Sequence, residues 1–474
     1  MPVPAGWRLR PARGLRRGRG GEVVLGGSPP RLLTLSSRGA ELFAGWLAGQ
    51  PVGEGLAERV LARRLLDAGL AHPDPPPLHQ PTRPPQDHPA GEVTIIVPVH
   101  GRADQLERCL AALAPGWPMI VVDDGSPDGA AIAAVAERFG ARCIRHPENR
   151  GASAARNTGL ALAETPFVAF LDSDCIPPPG FPGELLDHLA DPALGLVAPR
   201  IVSSGEDAGR IAAYERHRSP LDMGTQPSLV RPFSWVWYVP SAAMVARREA
   251  LGRGFDEELD LGEDVDLVWR LHDAGWQVRY DPRTRVAHRD RVEPWAWYRR
   301  RVAYNESVAP LLARHPERLP VLFVSPPAAV GWSAALAGAW PALAMLTGLR
   351  AARLHRSVGG RLNGAAGWAV RASIRATAQE GRDLGRALAG PWAPFWVAIA
   401  AATRRGLPRR VGVLVAALVT TDWLADRPAL DPVSFAGLRL ADESARGLGI
   451  WIACARARDF RALLPRRPPP VSRR

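Results

Sequence analysis

Four carboxylates of this chain fall where apolar runs stop and two more head an amphipathic segment, and their types suit the handling of a diphosphate. Asp172-Ser173-Asp174 follows the run FVAFL. Alternate positions on an extended chain face the same way, so two carboxylates here can converge on one hard divalent cation, Mg²⁺ or Mn²⁺. Asp174 is the expected metal ligand, and Asp172 a second ligand that also faces the donor. His288 ends another short apolar run and is expected to complete the metal shell or the diphosphate pocket. Asp123-Asp124-Gly125-Ser126 ends PMIVV; a carboxylate there can accept from a pyrimidine ring N–H or a ribose hydroxyl, although D-D-G-S is also an ordinary turn. Asn149-Arg150-Gly151 opens a helical stretch bearing Arg156 and Asn157. A glycine at a helix start lets backbone N–H groups approach an anion; the other reading is that Arg156 and Asn157 brace the sheet. Glu263-Asp264 heads the amphipathic segment VDLVWRLHDAG. Asp264 is there either as a general base, with Glu263 beside it, or as an acid favoured by the helix dipole. Each signal is weak alone, and a lone D-x-D arises by chance in many chains.

These groups act together only if strands deliver them to one edge. VTIIVPVHGR supplies a buried strand from Val93 to Val97 and then a polar loop. In open α/β sheets ligands bind beyond the carboxyl ends of the strands, so residues 98–104, with Pro98, Val99 and Arg102, are placed for a nucleotide. Strands alternate with helical stretches from here on, the pattern of an α/β domain. Residues 92–318 are therefore read as the catalytic domain. Before it, residues 75–91 form a Pro-rich linker. Residues 1–74 read as strand, strand, helix, helix: GEVVLGG, PRLLTLS, SSRGAELFAGWLAG, LAERVLARRLLDAGLAHP.

Residues 319–474 are rich in Ala, Trp and Leu and lack strand rhythm. Pro320 to Leu349 carries no charge over 30 residues, long enough to cross a bilayer. Pro326, Pro327 and Pro341 weaken it as a spanning helix. The alternatives are association with the inner face of a membrane and a buried helical bundle.

Among 474 residues, 46% are hydrophobic and 23% charged, enough to fold more than one domain. The net charge is +13, and all 60 basic residues are arginine. With so much Ala, Gly and Pro, that is partly a codon habit, so nucleic acid is not expected as a partner. Arginine surfaces suit diphosphates and anionic membranes. Cys109, Cys143, Cys175 and Cys454 show no C-x-x-C spacing, which disfavours a zinc site or a disulfide framework and favours a reducing compartment. No apolar run of signal-peptide length follows Arg16-Arg17, so a cytoplasmic location is expected.

In order, VTIIVPVHGR, VVDDGSPD, NRGASAARNTG, FLDSD and LGEDVDL resemble the inverting family-2 glycosyltransferases of the GT-A fold, over residues 93–305. The resemblance implies a nucleotide-sugar donor, with Asp123 and Asp124 at the base or ribose. It also implies Asp172 and Asp174 near the diphosphate and Asp264 as base. The Q-x-x-R-W motif of processive synthases is missing: the region reads EPWAWYRRRVAYNES, where Arg300 and Arg301 are expected to reach the diphosphate. Residues 1–74 resemble the small winged-helix domains that bind leader peptides, so peptide binding is one expectation and a packing subdomain the other. The whole chain, with ARGLGIWIACARARDFRALLP near its end, resembles the glycosyltransferases of the mycofactocin system, which serves a redox cofactor made from a ribosomal peptide. That implies UDP-glucose as donor and a short β-1,4-glucan on a peptide-derived acceptor. The rival readings are a membrane-associated transferase for lipid-linked or cell-wall saccharides and a non-catalytic peptide scaffold.

Overall fold

The computed structural model describes residues 1–77, 91–113, 116–403 and 406–467. The linker expected at 75–91 thus lies mostly outside the described residues. Two compact units divide the chain: Met1–Asp207 with Arg218–Asp290, and Ala208–His217 with Arg291–Arg474.

The first unit opens with a small module. Its strands are β1 (Arg8–Pro11), β2 (Arg16–Arg17), β3 (Val23–Gly26), β4 (Arg31–Thr34) and β5 (Ala71–Asp74); its helices are α1 (Ser37–Leu47) and α2 (Leu56–Asp67). Strands β2, β3 and β4 form a meander, and β1 pairs antiparallel with β5. The Ser36 side chain starts α1 by accepting from Gly39 N at 3.1 Å. Trp7, Phe43, Trp46, Leu65 and Leu66 are buried together as the module's own core. Two strands were legible and three were not: RLRP and RR are charged and short, and only pairing makes them strands.

The rest of the unit is a nine-stranded mixed sheet. It contains β6 (Val93–Val99), β7 (Met119–Asp124), β8 (Arg142–His146), β9 (Phe167–Leu171), β10 (Cys175–Ile176), β11 (Leu194–Ser203), β12 (Ser228–Val230), β13 (Ala243–Arg247) and β14 (Gln277–His288). The order is β10-β14-β11-β13-β9-β6-β7-β8, with β12 also on β14. Strands β6, β7, β8 and β9 are mutually parallel, and β13 runs antiparallel beside β9. Both faces are covered, so β6 is buried along its whole length, as expected of parallel strands under helices. Helices α3 (Ala103–Ala111), α4 (Gly129–Arg138), α5 (Ala152–Leu162), α6 (Gly183–Leu186) and α8 (Glu263–Asp273) accompany the sheet.

The second unit is helical: α7 (Arg210–Arg218), α9 (Pro294–Glu306), α10 (Val308–Arg314), α11 (Pro326–Ala337), α12 (Trp340–Val358), α13 (Ala365–Ala389), α14 (Ala393–Thr403), α15 (Gly406–Asp426) and α16 (Pro432–Ala457). Tyr214, Trp297 and Phe435 cluster in its core. The uncharged stretch 320–349 is not one helix, because Gly338 at φ +105° ends α11 and α12 starts afresh. None of the described helices is long and apolar enough to cross a membrane. The spanning expectation is therefore corrected: prolines and a glycine cut the apolar run into shorter helices.

Candidate active site

The parallel strands β6, β7 and β9 end at one edge, and the expected acids sit there. Because β13 is antiparallel, its first residue Ala243 pairs with Leu171 at the end of β9. This brings Ser241 and Ala242 beside the D-S-D segment, where Asp172 N donates to Ala242 O at 2.9 Å.

Arg156, on α5, is the hub. It is 2% exposed, donates from Nη2 to Asp172 Oδ1 at 2.6 Å and from Nη1 to Glu263 Oε1 at 3.0 Å. The planar guanidinium can serve two carboxylates at once. Ser241 Oγ donates to the same Glu263 oxygen at 2.9 Å, and Ser241 N approaches Asp264 Oδ2 at 3.3 Å. Val265 N donates to Asp264 Oδ1 at 2.7 Å. A continuous polar chain therefore runs Asp172, Arg156, Glu263, Ser241, Asp264. Burial raises the Asp264 carboxyl and the Glu263 charge adds to it, so that it reaches about 7 despite the two backbone donors. Burial likewise raises Asp172; Arg156 opposes this and Asp174 reinforces it.

Asp174 takes another partner. Cys175 pairs with His288 across β10 and β14, so the preceding Asp174 has its Oδ2 3.5 Å from His288 Nε2. Burial disfavours the imidazolium, but the hydrogen bond and charge of Asp174 outweigh it and raise the His288 pKa. Among the described residues no group of three or more His, Cys, Asp or Glu side chains is arranged for a metal. Asp174 and His288 are a carboxylate and an imidazole 3.5 Å apart, donor types that a divalent cation can take together with water and phosphate oxygens.

The Asp123-Asp124 pair lies at the end of β7 with its bonds already engaged. Asp123 is 1% exposed and accepts from Ser126 N at 2.9 Å and Arg145 Nη1 at 2.5 Å. Asp124 accepts from His146 Nδ1 at 2.7 Å, Arg150 N at 2.9 Å and Gly151 N at 2.8 Å. It ties the Asn149-Arg150-Gly151 turn to the sheet. Pro98 and Val99 are buried at the end of β6. Arg102 begins α3 in the left-handed region at φ +59°. Asn157 bonds Phe255 N at 2.8 Å and Phe255 O at 2.9 Å and so braces the 255–257 segment. The Arg150 side chain pairs with Glu257 at 3.2 Å.

Arg300 and Arg301 belong to the helical unit. Arg301 is buried and donates to Glu215 at 2.5 Å, with Asp442 3.5 Å away. The Arg300 guanidinium lies 4.5 Å from the Tyr304 ring centroid. Sequence reading missed Ser241, Arg145 and His146. His146 had a signal in closing a strand just before Asn149-Arg150-Gly151; Ser241 had none, since only strand pairing brings it to the acids.

Residues 94–255 match glycosyl transferase family 2. A pre-mycofactocin glycosyltransferase of Mycobacterium tuberculosis (strain H37Rv) is 39% identical over 487 residues, covering 98% of this chain and 98% of that protein. The chain belongs to this glycosyltransferase family. The succinoglycan biosynthesis protein ExoU of Rhizobium meliloti is 31% identical over 195 residues, 38% of this chain and 56% of that protein. A solved mannosyltransferase from Pyrobaculum calidifontis, in complex with GDP-Man and Mn²⁺, aligns over 82% of this chain and 92% of its own at 19% identity and a TM-score of 0.42.

As a family-2 glycosyltransferase, the chain is an enzyme, and its mixed sheet flanked by helices is of GT-A type. The acids at its edge divide into an Asp174–His288 pair and the chain ending in Asp264.

Proposed function

We propose that this glycosyltransferase moves glucose from UDP-glucose to the peptide-derived acceptor of mycofactocin biosynthesis, inverting the anomeric centre and building a short β-1,4-glucan. The observation that carries the transfer is Asp264, held by Ser241 N and Val265 N and raised to about 7. A base of that strength accepts a proton from a sugar hydroxyl near neutral pH. The acceptor class rests on the likeness to the M. tuberculosis protein over nearly the whole chain.

In this reading the uracil and ribose bind between the 98–102 loop and Asp124, whose Oδ2 retains one lone pair beyond the bond to Gly151 N. A divalent cation on Asp174 and His288, when bound, supplies charge neutralisation for the diphosphate. Arg156 holds Asp172 and Glu263 in place, one on each Nη, with Glu263 beside the base. Asp264 takes the acceptor proton as the hydroxyl attacks from the face opposite the leaving group, so an α-linked donor yields a β-linked product. Residues 1–74 are proposed to contact a peptide.

Mass spectrometry after incubation with UDP-glucose and the peptide-derived acceptor tests this. Hexose added to the acceptor is the expected result. Hexose transfer only to a lipid-linked or wall saccharide would sink the acceptor assignment.

A second reading concerns the helical unit, where membrane-surface attachment is favoured by apolar side chains left in water. Phe395, Val397 and Ile399 of α14 are 51%, 52% and 42% exposed, and Met345 and Leu349 share a face of α12. Co-sedimentation with anionic vesicles tests it; protein left entirely in the supernatant would overturn it.

A further inference from the structure

Where the N-terminal module meets the sheet, within the first unit, there is a cavity of about 250 Å³. It is distinct from the acidic edge: Asp281 on its wall and His288 pair with Pro199 and Ser203 of β11, four residues apart, about 13 Å of strand. Arg10 and His72, which pair across β1 and β5, form one side. Arg279, Arg283 and Arg285 of β14, with His188, form the other. The register of β14 against β11 jumps from Asp281 to Arg285, and this irregularity makes the recess.

The wall has one carboxylate, Asp281, and its oxygens are engaged by His188 Nε2 at 2.8 Å and Arg283 Nε at 3.0 Å. Two buried polar atoms on the wall are unsatisfied. Arg279 and His188 are each 3% exposed, and Arg279 Nε and His188 Nδ1 have no hydrogen-bond partner among the described residues. Leaving such atoms buried and unpaired is costly. Arg285 is exposed and has no ion pair among the described residues. Burial lowers Arg279 to about 10; burial and then the Arg279 charge lower His72 to about 4. Asp74 holds Arg10 at 3.0 Å and, with Asp281, holds Arg283, and Asp191 and Asp67 act on Arg279 from behind, which leaves Arg285 as the wall cation with no carboxylate of its own.

We propose that this cavity binds a phosphate-type oxyanion, as the free ion or as a monoester, through Arg279 and Arg285 with His188 beside them. Guanidinium groups match phosphate oxygens in charge and geometry. His188 stands beside them, held through Nε2 by Asp281 at 2.8 Å. The proposal does not depend on the donor or acceptor assigned above.

Calorimetric titration of the full chain without divalent cations tests it, using inorganic phosphate and glycerol 3-phosphate. Phosphate is expected to bind. Arg285→Gln and Arg279→Gln are each expected to weaken it by about tenfold or more, the scale of one charged hydrogen bond. Tighter binding of glycerol 3-phosphate than of phosphate assigns a monoester, and the reverse assigns the free ion. Phosphate that does not bind, or binds both variants like the parent, overturns the site. Should Arg279→Gln fail to fold, Arg285→Gln decides alone.

Discussion

At Asp264, two backbone donors that favour the charged form compete with burial and with Glu263, and burial wins, giving a carboxyl near 7. The form that can accept a proton exists above that value and is lost as pH falls through it. Accordingly kcat/KM should decline on the acid side by about tenfold per pH unit, with an inflection near 7; a flat profile down to roughly pH 5 would reject Asp264 as base. Asp264→Asn should lower kcat by about 10²-fold or more with donor affinity retained, read from steady-state rates and a donor titration. Arg156 makes a different kind of prediction. Its two Nη atoms serve Asp172 and Glu263 separately, and a lysine ammonium cannot span both. Arg156→Lys should therefore leave one carboxylate unpaired in a buried place and destabilise the fold by about 3 kcal/mol, measured by urea unfolding.

Among the elements, the turns between strands and helices decide whether the acids meet. Gly125 stands at φ +67°, and a Cβ there would come within 2.5 Å of the Glu148 carbonyl carbon. The turn after β7 and the Asn149-Arg150-Gly151 turn thus touch backbone to backbone, with Asp124 bonding across them. Gly125→Ala should cost about 2 kcal/mol or more through left-handed strain and the clash. The checks are a lower urea midpoint and weaker donor binding, because the 98–102 loop shares this support through Gly101 N to Ser126 Oγ at 2.7 Å.

For the first unit as a whole, what matters is how the N-terminal module is fastened to the sheet. Arg63 of α2 donates to Asp191 Oδ1 at 2.5 Å, and both side chains are nearly out of water. Gln277 at the start of β14 joins by donating to Asp67 at 2.5 Å. Arg63→Gln should destabilise the unit by about 3–5 kcal/mol, because it strands a buried carboxylate. The double variant with Asp191→Asn should recover part of that loss, as coupled partners do. Additive losses in thermal or urea unfolding would show that the pair does not fasten the module.

Some of this was fixed by the chain alone. Apolar runs ending in acids set which strands exist and which end of each holds a carboxylate, because buried parallel strands need unbroken apolar sequence and their termini need polar loops. FVAFL before Asp172 and PMIVV before Asp123 were legible for that reason, and so was the family. The sequence already set Asp174 apart from Asp172 as the expected ligand, but not the partner each would take: Asp172 turns to Arg156 while Asp174 faces His288 from the far end of β14. That split depends on strand order, since β13 inserted antiparallel beside β9 brings Ser241 to the site and β10 on β14 brings His288. Pairings between segments 70 to over 100 residues apart leave no local pattern. The fates of Arg301, committed to Glu215, and of the 320–349 stretch, cut at Gly338, were likewise settled by packing. Local sequence offered both a free cation and a span, and the tertiary fold balanced the one and broke the other.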